Sequence, residues 1–75
     1  MKSSVLSGVL QRLEAMTHTE NDVEVRRFEV EGVEKCQVTF NKESDTFELT
    51  DNETGSGFQY DDIDLVAIEI FEMLG

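Results

Sequence analysis

The residues that could cross-link a small protein are nearly absent from this sequence. Cys36 is its one cysteine and His18 its one histidine. These counts exclude an internal disulfide and a zinc site made of cysteine and histidine. A chain of 75 residues supplies one hydrophobic core of marginal size. We therefore expect a single domain over residues 1–75, stabilised by close packing or by oligomerisation.

Basic residues are absent from the C-terminal part of the chain. Residues 1–42 contain seven acidic and all six basic residues, whereas residues 43–75 contain ten acidic residues and no basic one. Such a surface repels the phosphates of nucleic acids and anionic lipids, so neither nucleic acid nor membrane is expected as a direct partner. It attracts basic proteins or divalent cations, and the simpler alternative is that the charge serves solubility.

Long apolar runs are absent as well. Ser7, Gln11, Arg12 and Glu14 interrupt the N-terminal stretch MKSSVLSGVLQRLEAM. The interruptions leave this stretch too short and too polar for a secretory signal or a membrane span. The sequence therefore predicts a soluble, cytoplasmic protein.

Signatures of catalysis and cofactor binding are also missing. The sequence has no glycine-rich phosphate loop, nucleophile elbow or zinc signature, and DNETGSGFQYDD lacks the ligand spacing of a calcium loop. Cys36 shares the strand phase of Val38 and Phe40, which predicts a buried and inert thiol. His18 lies in a polar loop and is expected to be solvated. We therefore expect no enzymatic activity, no cofactor and no metal.

The spacing of apolar residues predicts a helix followed by strands. Apolar residues of the first segment recur every three or four positions, as in an amphipathic helix. After the polar stretch THTEND the period changes to two, which is typical of strands with one buried face. Short breaks at Gly32, NKESD and NETGSG favour antiparallel hairpins. The strand pattern covers RFEVE, CQVTF, TFELT and the short FQY.

The first strand contains an irregularity. Val23 and Val25 have odd parity and Phe28 and Val30 have even parity, so a regular strand cannot point all four inward. A bulge at positions 26–27, or a strand that begins only there, would resolve the conflict.

The final segment, DDIDLVAIEIFEMLG, is predicted to be a helix although its β-branched residues partly alternate. Asp61 is the expected N-cap, with Asp64 three residues later as in a capping box. Tyr60 and Leu65 then occupy the positions of a hydrophobic staple. The acidic residues of the first turn favour the helix further, through its dipole.

Three stretches, taken in this order and spacing, resemble the YkuJ family of small, uncharacterised bacterial proteins. They are RRFEVEGVEKCQVTF, DTFEL and DDIDLVAIEIFEML, and the resemblance covers residues 26–74. It implies a compact α+β domain without an assigned activity. No catalytic or binding residue is carried over from the family.

The predicted fold is an α+β two-layer sandwich, helix–four antiparallel strands–helix, with both helices on one face of the sheet. The predicted inward residues are Val5, Leu6, Val9, Leu10, Leu13, Phe28, Val30, Cys36, Val38, Phe40, Phe47, Leu49, Phe58, Ile63, Val66, Ile70, Phe71 and Leu74. The opposite sheet face is expected to be polar, with Arg27, Glu29, Gln37, Thr39, Glu48 and Thr50.

The last helix carries more apolar residues than one core-facing side needs. Seven form a broad arc and the staple accounts for Leu65, but Ile68 stands among acidic residues. The candidate interaction surface is Leu65, Ile68, Glu69 and Glu72. We expect a protein-interaction module, a homodimer formed through this helix being the simplest form. Alternatives are a regulator that binds a basic, nucleic-acid-binding protein, a small-ligand binder or enzyme, and an ordinary exposed isoleucine.

Overall fold

The computed structural model describes residues 3–74, which follow the predicted order of helix, four strands and helix. The strands form one antiparallel sheet in the order β1-β2-β3-β4, so β1 and β4 are its two edges. The predicted α+β architecture is confirmed. Its elements are α1 (Ser3–Thr17), β1 (Val23–Val30), β2 (Val33–Asn41), β3 (Thr46–Asp51), β4 (Gly57–Tyr60) and α2 (Ile63–Leu74).

A two-residue turn closes the first hairpin of the sheet. Val30 pairs with Val33, and only Glu31 and Gly32 lie between the two strands. Both turn residues have positive φ, 53° for Glu31 and 80° for Gly32. This is the type I′ geometry, whose twist matches that of the flanking strands. Gly32 adopts it freely, whereas Glu31 adopts it against the steric preference of a residue with a Cβ atom.

Both helices pack on the same face of the sheet. Alternate strand residues on that face are buried in one apolar cluster with residues of α1 and α2. α2 contacts all four strands, and α1 packs beside α2 and over β1. The predicted inward residues that are buried are Val9, Leu13, Phe28, Cys36, Val38, Phe40, Phe47, Leu49, Val66 and Ile70. Those that are half-buried are Leu6, Leu10, Val30, Ile63, Phe71 and Leu74.

Two residues of the predicted inward set are exposed, and two buried apolar residues were left out of that set. Val5 in α1 is exposed, and Phe58 in β4 is 53% exposed. Phe58 shares the face of its cross-strand partner Leu49, but β4 is an edge strand and the helices do not extend far enough to cover it. Met16 and Ala67, which the predicted inward set omits, are buried.

The parity conflict in β1 is resolved differently from the prediction. β1 pairs regularly with β2 up to Phe28, and the register then shifts by one residue. The extra residue is Lys35 on β2, so the predicted bulge at positions 26–27 is wrong. Because β1 is regular up to Phe28, Val23 and Val25 point to the opposite face of the sheet and are exposed.

The face of the sheet opposite the helices is polar, as predicted, apart from these two valines. Arg27 on this face forms a salt bridge with Glu34, with Nε 3.2 Å from Oε1. Asn52 donates a side-chain hydrogen bond to the same Glu34 carboxylate. The shift in register explains the pairing, since it brings Glu34 onto the face that Arg27 occupies.

Candidate interaction surface

α2 begins one residue later than the sequence suggested. The backbone amide of Asp64 donates a hydrogen bond of 2.8 Å to Oδ1 of Asp62, and the amide of Val66 donates one of 3.3 Å to the Asp62 carbonyl. Asp62 is therefore the N-cap. The predicted capping box of Asp61 with Asp64 is wrong.

The shifted start removes the contact that was expected to cover a second apolar side chain of α2. With Asp62 at the N-cap, a hydrophobic staple would join residues 61 and 66, so the predicted staple of Tyr60 with Leu65 is also wrong. Leu65 is 52% exposed and Ile68, almost one turn further along, is 47% exposed. Two neighbouring apolar side chains, and not Ile68 alone, therefore face away from the core.

Acidic residues surround these two side chains. Asp64 and Glu72 are exposed on the same side of α2, because they lie within three or four positions of Ile68. We call Asp64, Leu65, Ile68 and Glu72 the outer face of α2. This face has an apolar centre and an acidic border.

Glu69 borders the outer face on the side of β4. Burial raises the pKa of the Tyr60 phenol, and the carboxylate of half-buried Glu69 raises it further, which places Glu69 close to Tyr60. Phe58 lies two residues before Tyr60 on the same side of β4, with its ring exposed. The surface where α2 meets β4 therefore combines the exposed ring of Phe58 with the carboxylate of Glu69.

Positive charge is remote in sequence from the outer face. Residues 43–75 contain no base, so α2, β3 and β4 contribute only acidic charge. The neighbouring helix α1 carries Arg12, whose guanidinium lies 5.7 Å from the centre of the Phe28 ring of β1. This cation–π contact holds Arg12 over β1. The negative charge around the outer face is consequently not neutralised from within α2.

The one thiol of the chain lies in an inert environment. Cys36 is fully buried, and burial raises its pKa from 9.0 to about 11, with further contributions from the Asp51 and Glu34 carboxylates. A nucleophilic cysteine needs the opposite shift, toward the thiolate. His18 follows α1, and its side chain is exposed. The structure thus places Cys36 as the sequence predicted, in the core.

The surface of the described residues includes open grooves. Within residues 3–74, no three His, Cys, Asp or Glu side chains are grouped to hold a metal ion. A groove of about 390 Å³ runs past Val33, Lys35, Asp51 and Met73, and another of about 420 Å³ lies between α1 and the end of β1. Neither α1 nor α2 is long and apolar enough to cross a membrane.

Phe58 is the surface feature that sequence reasoning missed. Its period-two pattern predicts the face of the sheet on which it lies, and the structure confirms that face. The available signal was the length of β4, because a strand of four residues after a glycine-containing loop is typical of a sheet edge. The four residues of the predicted interaction surface, Leu65, Ile68, Glu69 and Glu72, are all on α2.

Comparisons with known proteins identify similar chains. A family described as "Protein of unknown function (DUF1797)" matches residues 9–74. The chain is 39% identical over 77 residues to the uncharacterised protein YkuJ of Bacillus subtilis (strain 168), over 95% of this chain and 98% of that protein. It is also similar to the X-ray structure of YkuJ from Bacillus subtilis, with a TM-score of 0.87 and 39% identity over 92% of this chain and 95% of that one. These findings confirm the resemblance that the sequence motifs indicate.

Proposed function

The chain belongs to the DUF1797 family, and we propose that it is a non-enzymatic, cytoplasmic protein-interaction module that binds its partner with the outer face of α2. One observation carries this proposal: Leu65 and Ile68 are adjacent and both about half exposed, on a helix whose surrounding surface is acidic. The non-enzymatic part of the proposal is supported by Cys36, whose burial and raised pKa oppose a nucleophilic role for this thiol.

The energetics of the outer face support a contact role. Full burial of a leucine or isoleucine side chain stabilises a complex by about 1.5–3 kcal/mol, and roughly half of the surface of Leu65 and of Ile68 remains to be buried. An apolar centre within a polar border is the arrangement found in protein–protein interfaces. Two residues are too few for a complete interface, so Phe58 and half-buried Phe71 would have to contribute.

The chemistry of the partner is open to two alternatives. A second copy of the chain is the simplest, as the sequence suggested. A symmetric contact would, however, bring the Asp64 and Glu72 carboxylates of two copies together, and like charges weaken such an interface. A basic protein is the second candidate, because residues 43–75 contain ten acidic and no basic residues. The same charge opposes direct binding of nucleic acid or of anionic membranes.

Sedimentation velocity at micromolar concentration tests whether the outer face joins two copies. The variant Ile68→Glu places a carboxylate at the apolar centre, and Val33→Glu is the matched control, since Val33 is 56% exposed in the first hairpin. A dimer that is lost in Ile68→Glu and kept in Val33→Glu supports self-association through α2. A dimer that persists in Ile68→Glu removes α2 from that contact.

Salt dependence tests the second candidate. A complex held by the acidic border of α2 should dissociate as ionic strength rises, because salt screens exposed charges. Proteins captured from a native lysate at low salt should therefore be basic and should be released at high salt. Capture that persists in high salt, or that enriches no basic protein, contradicts a regulator of this kind.

A further inference from the structure

β1 is an edge strand with eight residues and one paired side. It pairs with β2, and no other strand within residues 3–74 pairs with its free edge. Such an edge presents unpaired backbone amides and carbonyls to solvent. We propose that β1 pairs antiparallel with β1 of a second copy, across a two-fold axis at Val25, to form a continuous eight-stranded sheet. This proposal uses a surface separate from the outer face of α2.

The charges of β1 are complementary in this register. Two antiparallel copies of one strand keep their side-chain faces aligned when the axis passes through a residue, because successive side chains alternate between faces. With the axis at Val25, Glu24 of each copy lies opposite Arg26 of the other. Neither side chain forms a salt bridge within the described chain, where Arg27 and Glu34 are the pair observed. Opposite charges in directly facing positions stabilise a strand pair.

The ends of the pairing are complementary as well. The same register places Asp22 of one copy opposite Phe28 of the other, and the Arg12 guanidinium lies over the Phe28 ring. Asp22 of one copy is thus brought close to Arg12, which α1 of the other copy holds above β1. The groove of about 420 Å³ between α1 and the end of β1 leaves room for this approach, and a Cβ atom added to Gly8, which lines it, would meet no atom within 4 Å.

An axis at Val25 is more favourable than an axis at the residues that follow it in β1. Val25 would face its own copy across the axis, which buries an apolar side chain that is solvent-exposed in the single chain. An axis at Arg26 or Arg27 would instead place identical guanidinium groups opposite each other. An axis at Phe28 would carry the pairing into the region opposite the Lys35 bulge, where the register of the sheet is irregular. Charges on edge strands usually prevent pairing, but each face of β1 carries one acid and one base, Glu24 with Arg26 and Arg27 with Glu29.

A charge-reversal experiment tests the register. Sedimentation velocity of the full chain should show a dimer at micromolar concentration. Glu24→Arg and Arg26→Glu should each weaken dimerisation about tenfold or more. In the homodimer of either variant, residues 24 and 26 carry the same charge, so both facing pairs repel. An equimolar mixture of the two variants should dimerise, since every pair is then opposite in sign. The matched control Glu43→Arg, in the exposed β2–β3 turn, should leave the dimer unchanged.

A cross-linking experiment tests the position of the axis without changing charge. Val25→Cys should form a disulfide-linked dimer under mild oxidation, because the two residues 25 face each other. Val23→Cys, on the same strand and face, should not, and Cys36 is buried in both. A monomeric wild-type chain, a variant mixture that stays monomeric, or equal cross-linking of the two cysteine variants overturns the proposal. A dimer lost in Ile68→Glu assigns self-association to α2 and overturns it too.

Discussion

The carboxylate of Asp62 accepts a hydrogen bond of 2.8 Å from the backbone amide of Asp64, and this bond fixes the start of α2. In the helix that follows this cap, Val66, Ala67 and Ile70 are buried, while Leu65 and Ile68 lie outside the core. The capping bond and the outer face of α2 are therefore parts of the same local structure.

Removal of this cap should destabilise the protein. Asp62→Ala deletes the side-chain acceptor for an otherwise unpaired helix amide and should lower the free energy of unfolding by about 1 kcal/mol. Asp61→Ala is the matched control, because Asp61 is an adjacent, exposed aspartate before the same helix. Urea denaturation measures both. If Asp61→Ala lowers the free energy of unfolding as much as Asp62→Ala does, the assignment of the cap is contradicted.

The two members of one cross-strand pair should differ sharply in their contribution to stability. Leu49 is fully buried and its partner Phe58 is exposed. Leu49→Ala should therefore lower the free energy of unfolding by about 2–5 kcal/mol, as for other buried leucines. Phe58→Ala should lower it by well under that amount. Chemical denaturation of both variants checks the prediction. Comparable losses would mean that Phe58 is covered in solution, for example by a partner chain.

The first hairpin turn offers a stabilising substitution. Glu31 has a φ of 53°, and asparagine tolerates this left-handed conformation better than glutamate. Glu31→Asn should therefore raise the free energy of unfolding, by up to about 1 kcal/mol. Gly32→Ala, which places a Cβ atom at a φ of 80°, should lower it. Thermal or urea unfolding distinguishes the two, and a destabilising Glu31→Asn would contradict the type I′ assignment.

The buried thiol should be unreactive in the native protein and should make stability depend on pH only in the alkaline range. Its pKa is raised from 9.0 to about 11 in the folded state, so the unfolded chain loses this proton first as pH rises. The contribution of Cys36 to stability is thus complete below pH 9 and decreases between pH 9 and 11. A thiol reagent at neutral pH should label the unfolded chain and not the native one. Rapid native labelling would contradict the burial of Cys36.

The spacing of apolar residues and the short breaks between them were sufficient to predict the elements, the antiparallel hairpins and most of the core, but not the order of the strands. Period two identifies the face of the sheet to which a side chain points, which is why Val38, Phe40 and Leu49 were placed correctly. It does not indicate how far the helices extend over that face. Phe58 lies on the predicted face and is exposed because β4 is at the sheet edge.

The errors at α2 and β1 have a different origin. Asp61 and Asp62 are chemically identical candidates for the cap, and the choice between them depends on how α2 is oriented over the sheet. The bulge lies at Lys35 on β2, because the two-residue turn at Glu31 and Gly32 sets the register of the hairpin end. Both features are determined by tertiary packing, and so neither could be read from the chain.

The most direct test of the account is to capture partners from a native lysate with three forms of the chain: wild type, Ile68→Glu and Val33→Glu. Ile68 and Val33 are both about half exposed, so the two variants add the same charge at comparable apolar surface sites. Quantitative mass spectrometry measures the bound proteins. The account predicts that proteins bound by the wild type are lost from Ile68→Glu and retained by Val33→Glu. An identical set of bound proteins for wild type and Ile68→Glu would contradict the claim that the outer face of α2 is the contact surface.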